Sequence, residues 1–349
     1  MERCDVLIVG LGPAGGAAAL AAARAGLRVM AVERRRNIGR PVQCAEYVPL
    51  SLGKMARRTG AEIQRLHGMR TVLPSGIETD SAFPGLMIDR ERFDAGLAQA
   101  AREAGAEALT GCRFLGLDRG KSLAYCRDDG GEKAVGYRVL IAADGPHSPV
   151  ASALGLPRLD TVLARQVVVP LNGKTARTEV FLSGDYPGGY AWLFPKGESA
   201  NLGIGVERRA AGRLGELLRA LHQRMVEQGR VGETVLLRSG GAIPVGGLRP
   251  ELTVGSVLFA GDAAGLTHPV TGAGIHPAVV SGEMAGRAAV ARLSGREGAL
   301  KDYADELRDL FGASLARAVR RRKEAHGSDD EAMRRSWVAF REYWEERMG

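Results

Sequence analysis

Gly10-Leu11-Gly12-Pro13-Ala14-Gly15 lies between Asp5-Val6-Leu7-Ile8-Val9, an apolar run of strand length, and an Ala-rich stretch from Pro13 to about Ala25 that reads as a helix. A strand that ends in G-x-G-x-x-G and enters a helix points backbone N–H groups at a pyrophosphate, with the positive end of the helix dipole behind them. Gly10 permits the tight turn, Gly12 lets the pyrophosphate approach the backbone, and Gly15 lets helix and strand pack closely. Arg28–Glu33 reads as the second strand. Glu33 stands about 20 residues beyond the glycines, where an acidic side chain accepts hydrogen bonds from ribose hydroxyls. A Gly-rich turn in an ordinary βαβ unit requires neither the acid nor this spacing. The stretch therefore reads as a dinucleotide site.

Two later pieces extend it. Tyr137–Ala143 has the pattern of a buried strand and leads into Asp144-Gly145. Ser256–Ala260 leads into Gly261-Asp262, followed by Pro269-Val270-Thr271-Gly272-Ala273-Gly274. Any one could arise by chance; in this order they say that a single chain wraps FAD. FMN lacks the adenosine ribose that Glu33 is placed to hold, so FAD is the expected cofactor.

The chain has 349 residues, enough for one discontinuous or two ordinary domains with a real core. No apolar run reaches the ~18 residues of a membrane span, and Ala17–Ala23 follows the glycines, so it reads as neither signal peptide nor span. Cys4, Cys44, Cys112 and Cys126 show no C-x-x-C spacing or paired framework. That points to reduced thiols of a cytoplasmic protein, with no disulfide and no metal site. The net charge of +8 gathers partly at Arg317, Arg320, Arg321, Arg322 and Lys323. Such a cluster reads either as a solvated helix face or as a patch for an anionic membrane surface or a phosphate-bearing substrate. The chain shows no nucleic-acid motif, and nothing in it sets the oligomeric state.

Between Pro157 and Pro244 the pattern becomes one of strands punctuated by Gly and Pro: Val162–Pro170, Thr178–Leu182, Tyr190–Pro195, Asn201–Val206 and Thr234–Gly241, with a helix near Leu214–Gln228. A hairpin at Met69–Thr79, turning at Pro74-Ser75-Gly76, is expected to join this sheet. Arg90–Asp94 starts a helix whose Phe93, Leu97, Ala100 and Ala104 follow helical spacing. The expected division is a discontinuous cofactor domain (1–66, 86–156 and 245–296), a sheet domain (67–85 and 157–244) and C-terminal helices (297–349). In the last part Tyr303, Leu307, Leu310, Phe311 and Leu315 share one face, and Met333, Trp337, Phe340 and Trp344 another. The second, aromatic stripe reads as helix-to-body packing or as a membrane or lipid contact.

With these pieces laid out, the chain resembles the flavoprotein superfamily typified by aromatic hydroxylases. The resemblance implies an α/β fold: a Rossmann-type FAD-binding domain, an inserted antiparallel-sheet substrate domain and C-terminal helices. Asp144-Gly145-Pro146-His147-Ser148 matches that family's D-G-x-x-S signature, with Ala151 where an Arg is common. Gly261, Asp262 and Pro269 match its G-D-x6-P signature. The family pattern implies Asp144 near the ribityl chain, Asp262 at a ribityl hydroxyl, and the turn through Gly272, Ala273, Gly274 and Ile275 beneath the flavin ring. Pro13 and Ala14 at the helix start, with Arg34, Arg40 and Arg90, complete the expected cofactor contacts.

Pro187-Gly188-Gly189-Tyr190-Ala191-Trp192-Leu193-Phe194-Pro195 resembles the P-x-x-Y-x-W-x-F-P motif of the geranylgeranyl reductase family, which saturates isoprenoid double bonds. Strand alternation puts Tyr190, Trp192 and Phe194 on one face, either an aromatic wall for an apolar substrate or a face packed on the core. Pro41-Val42-Gln43-Cys44-Ala45-Glu46 resembles a Cys-Gly-Glu-like element of that family, with Ala45 replacing the Gly. The resemblance implies that Cys44 approaches the flavin, where a thiol could donate a proton, shield the flavin from oxygen or form a transient adduct.

Two activities fit. A reductase would deliver hydride from reduced FAD to one alkene carbon while Cys44, Tyr190, His268 or His276 protonates the other, in a dry site. Its substrate would be an isoprenoid lipid or quinone chain. A monooxygenase would instead hydroxylate an aromatic ring, a small phenol or a peptide Trp or Tyr. A halogenase reading is weakened because Tyr190 and Phe194 replace two members of its W-x-W-x-I-P pattern, and a non-catalytic flavin sensor is the remaining alternative. No second dinucleotide motif is visible, so the electron donor is open: NAD(P)H binding only transiently, a reduced ferredoxin or a quinol.

Overall fold

The computed structural model describes residues 2–324, 329–334 and 337. Six strands form one sheet in the order Thr253–Val254, Val257–Phe259, Val139–Ala142, Val6–Val9, Val29–Glu33 and Glu107–Thr110. All neighbours run parallel except the first pair. Parallel sheets need cover on both faces, which is why Val6–Val9 and Val139–Ala142 are uninterrupted, fully buried apolar runs. The covering Pro13–Arg24 helix is built of Ala and Gly and lets a second helix, Ile275–Leu293, lie directly on it. A Cβ on Gly282 would stand 2.1 Å from the carbonyl oxygen of Ala14. That close approach stacks the third cofactor signature on the first.

A second sheet has eight strands in the order Leu237–Pro244, Thr161–Pro170, Ser199–Glu207, Ala191–Lys196, Arg177–Phe181, Glu62–Val72, Glu78–Ile88 and Tyr47–Pro49. It is antiparallel except where Arg177–Phe181 runs parallel to Glu62–Val72. One face carries Val167, Val169, Leu202 and Ile204 against the Leu214–Glu227 helix, whose Leu214, Leu217, Leu218 and Leu221 recur at helical spacing. The other face sends Val180, Trp192 and Phe194 into the core it shares with the six-stranded sheet. The cofactor signatures therefore end at a seam between two sheets.

Several elements differ from the sequence reading. The Met69–Thr79 hairpin is two strands of 11 residues each, which straddle the junctions placed at 66/67 and 85/86. Register shifts at Glu62/Gln64 and Leu66/Gly68 interrupt the period-two pattern that would have revealed their length. The strand read at Thr234–Gly241 is Leu237–Pro244. A four-stranded sheet of Glu2–Arg3, Gly131–Gly136, Leu123–Asp128 and Arg113–Asp118 was not anticipated, because its strands are short and mostly polar.

Tyr303, Leu307, Phe311 and Leu315 are buried, and the Tyr303 hydroxyl donates to the Phe259 carbonyl at 2.7 Å. Met333 and Trp337 pack on the main core, while Phe340 and Trp344 lie outside the described residues. No helix among the described residues is long and apolar enough to cross a membrane.

Candidate active site

The first signature has the shape its residues dictate. Gly10 adopts φ +96°, and a Cβ there would stand 2.4 Å from the Ala143 carbonyl oxygen; one on Gly15 would be 1.8 Å from the Gly10 oxygen. A Cβ on Gly12 would meet nothing within 4 Å, so this face of the turn, at the start of the Pro13–Arg24 helix, is open to an incoming phosphate group. Glu33 ends its strand with Oε2 accepting from Leu11 N and Oε1 from Arg35 N, both at 2.9 Å. The two bonds fix the carboxylate at the rim of the turn. Arg34 and Arg40 lie at the surface, Arg40 in an ion pair with Glu91 at 2.6 Å.

Asp144 leaves the Val139–Ala142 strand next to Gly145. Its Oδ2 accepts from Val150 N at 2.9 Å, and its buried Oδ1 has no partner among the described residues. Burial raises this carboxyl to about 6, against the pull of the Val150 bond. A buried carboxylate oxygen without a partner suits a hydroxyl donor. Asp262 is raised too, by burial, with the Thr267 hydroxyl donating to its Oδ1 at 2.6 Å.

The Thr267–Gly274 turn carries the third signature into the Ile275–Leu293 helix. His268 is its organiser: Nδ1 accepts from Val270 N at 3.3 Å and Thr271 N at 3.2 Å, and burial lowers the imidazole to about 4. The ring is therefore neutral. Pro269 accepts a bond from Arg322 at 3.2 Å, so one member of the C-terminal cationic cluster reaches the turn instead of facing solvent. The Tyr190 hydroxyl donates to the Thr271 carbonyl. His276 is half-buried in the first turn of the helix.

The Cys44 loop closes the seam from the side of the eight-stranded sheet. Gln166 Nε2 donates to the Cys44 carbonyl at 2.7 Å, and Asn201 Nδ2 donates to the Ala45 carbonyl at 3.0 Å. Glu46, with φ +69°, is buried and accepts from Arg90 N at 2.9 Å, Asn201 Nδ2 at 2.9 Å and Lys196 Nζ at 2.7 Å. The half-buried Cys44 Sγ accepts from Glu46 N at 3.2 Å and lies near Arg90 and Tyr190. Burial raises the thiol, while Arg90 pulls the other way. Arg90 is held by Asp94 in a two-point pair at 2.8 and 3.2 Å. Trp192 lies in the sheet with its ring over Gly203, and its buried Nε1 has no partner among the described residues. Tyr190 precedes that strand, its ring edge-on to Trp192 at 5.8 Å and to Trp337 at 5.0 Å.

The fold thus brings Cys44, Tyr190 and Arg90 together, with Trp192 beside Tyr190. It leaves Arg34 and Arg40 outside. Sequence reading missed Glu46, Gln166, Lys196 and Asn201, which hold the Cys44 loop. Glu46 lies within a motif already quoted and Lys196 directly follows another, but nothing local pairs residues 150 positions apart.

A dinucleotide cradle facing a mixed sheet across a buried seam defines an FAD-dependent oxidoreductase. Residues 5–127 match the FAD dependent oxidoreductase family, and residues 161–242 match the geranylgeranyl reductase catalytic domain. Digeranylgeranylglycerophospholipid reductase 2 of Methanopyrus kandleri is 34% identical over 91% of this chain and 86% of its own length. The chain belongs to the geranylgeranyl reductase family. A geranylgeranyl bacteriochlorophyll reductase-like protein of Thermoplasma acidophilum superposes with TM-score 0.84 at 26% identity, covering 99% of this chain and 98% of that one. A probable FAD-dependent monooxygenase of Pseudomonas aeruginosa, with TM-score 0.75 at 20% identity over 97% of this chain and 100% of its own, shares the fold.

Proposed function

We propose that this enzyme saturates C=C bonds in the isoprenoid chains of a glycerophospholipid, with Cys44 as the proton donor. The reading rests on the relatives' activity and on one arrangement: the Cys44 thiol stands near Arg90 and Tyr190 in a loop tied to the substrate sheet, and Tyr190 holds the Thr267–Gly274 turn. When bound, reduced FAD supplies the hydride.

Gly10, Gly12, Pro13, Ala14 and Gly15 hold the pyrophosphate, Glu33 the ribose, and Asp144, Gly145, Gly261 and Asp262 the ribityl side. Pro269, Gly272, Ala273, Gly274 and Ile275 carry the ring. Tyr190 spends its proton on the Thr271 carbonyl, and His268 accepts bonds from the turn, so both position it. Trp192 walls the seam and keeps water out, and His276 is the second candidate proton donor. An isolated alkene accepts hydride poorly, so a proton held in place in a dry site is what the chain must contribute.

The cofactor unit is taken as 1–66, 86–156 and 245–296, the substrate unit as 67–85 and 157–244, and the helices from 297 as a cover that brings the enzyme to the membrane surface where its lipid resides. The donor is NAD(P)H or a reduced ferredoxin. Anaerobically reduced enzyme should convert a prenyl lipid to products heavier by two mass units per bond. On mixing with air, the reduced flavin should reoxidise without a long-lived oxygenated species. A species persisting for seconds, with a hydroxylated aromatic product, would move the assignment to the monooxygenase reading.

A further inference from the structure

A cleft of about 1030 Å³ lies between the Leu214–Glu227 helix and the Thr161–Pro170 and Leu237–Pro244 strands. Its wall combines apolar Leu163, Val167 and Leu214 with the cations Arg165, Arg219 and Arg238, and no Asp or Glu lines it. Arg238 pairs in register with Val167, two positions from Arg165, so both arginines stand on the same face of the sheet. Arg219 comes from the helix opposite, its Nε donating to the Gly215 carbonyl at 3.2 Å. Arg165 Nη1 is 3.2 Å from the place a Cβ on Gly215 would take, so two guanidinium groups converge on one glycine.

Elsewhere on this sheet arginines are paired, as Arg70 is with Glu78 and Arg177 with Asp80. Arg165, Arg219 and Arg238 have no ion-pair partner among the described residues. The positive field continues past the cleft's rim: His147, which also lines it, is held below its usual range by burial and by Arg208, Arg158 and Arg34. Like charges gathered at an apolar wall without carboxylates suit an anion carrying a hydrocarbon chain, and planar guanidinium groups suit phosphate oxygens. The cleft lies on the helix-covered face of the sheet, and the candidate active site lies across the sheet from it, close to the edge strand Leu237–Pro244. Gln166 lines the cleft and donates to the Cys44 carbonyl, and Gly240 lines it and accepts from the Gln43 side chain.

We propose that this cleft binds the phosphate-ester head of the lipid whose chains are reduced, which rests on the substrate reading above. The probes are geranylgeranyl monophosphate and geranylgeraniol, which share a chain and differ in the phosphate. Equilibrium dialysis against oxidised holoenzyme should show the phosphate bound at least about 10-fold more tightly. An Arg165→Ala/Arg238→Ala variant with normal flavin content should lose that preference, by about 10- to 100-fold for lost charge-assisted contacts, while its affinity for the alcohol stays unchanged. Equal binding of the two probes by the wild type, an undiminished preference in the variant, or displacement of the phosphate probe by NADPH would each overturn the proposal. Product masses separate this from the substrate reading: phosphate preference without alkene saturation sinks the reductase assignment and leaves the cleft standing, and the reverse sinks the cleft alone.

Discussion

The Tyr190 hydroxyl donates a hydrogen bond to the backbone carbonyl of Thr271, joining the aromatic motif of the substrate sheet to the turn of the third cofactor signature. The two are 81 residues apart in sequence. Tyr190→Phe removes only that bond. It should leave FAD bound, shift the flavin absorption bands as the turn relaxes, and lower turnover more than it raises KM. An unchanged spectrum and unchanged turnover would remove Tyr190 from the positioning of the turn.

Cys44→Ser keeps size and hydrogen-bonding capacity but loses thiol acidity. Alkene saturation should fall about 10- to 1000-fold, the range around one acid–base group, with flavin content near normal. Turnover equal to the wild type would eliminate Cys44 as proton donor and direct attention to His276.

Glu33→Ala removes the carboxylate that accepts from Leu11 N and Arg35 N at the rim of the cradle. FAD affinity should weaken by about 1–3 kcal/mol, read by fluorescence titration of apoprotein with FAD. The recovered flavin should still be FAD by mass.

Lys196→Met strands Glu46, a buried carboxylate, without its ammonium partner. Breaking a buried pair by removing one member destabilises by about 3 kcal/mol. Part of that should be absent here, because Asn201 and Arg90 N still donate to Glu46. A thermal midpoint close to the wild type would show that those two donors suffice.

Acidification should act on two groups in opposite directions. Asp144, raised to about 6, binds its proton more tightly when folded, so its contribution to stability grows as pH falls through 6 towards 4. His268, lowered to about 4, resists protonation when folded, so its contribution is lost as pH falls from its unfolded value towards 4. Apoprotein Asp144→Asn should therefore lose stability more steeply than wild type between pH 6 and 4. Parallel thermal-denaturation curves across that window would contradict the assignment.

The amino-acid sequence alone determined the cofactor cradle, because each of its parts is local. A tight turn needs Gly10 at φ +96°, a helix start needs open backbone at Gly12, and both needs are met within six consecutive residues. The Thr161–Pro170 and Ala191–Lys196 strands and the Leu214–Glu227 helix were legible for the same reason, since period and punctuation are written within each segment. The long Glu62–Val72 and Glu78–Ile88 pair was not, because its bulges break the period. Nor was the environment of Cys44. Its neighbours Gln166, Lys196, Asn201 and Arg90 arrive from separate strands and a helix, and a thiol's acidity depends on burial and charge that only packing supplies. Tertiary structure also decided that Trp192 and Phe194 enter the seam while Arg165 and Arg238 turn to the opposite face: strand alternation separates the two sets, but only the placement of the cofactor sheet and the Leu214–Glu227 helix determines what each face meets.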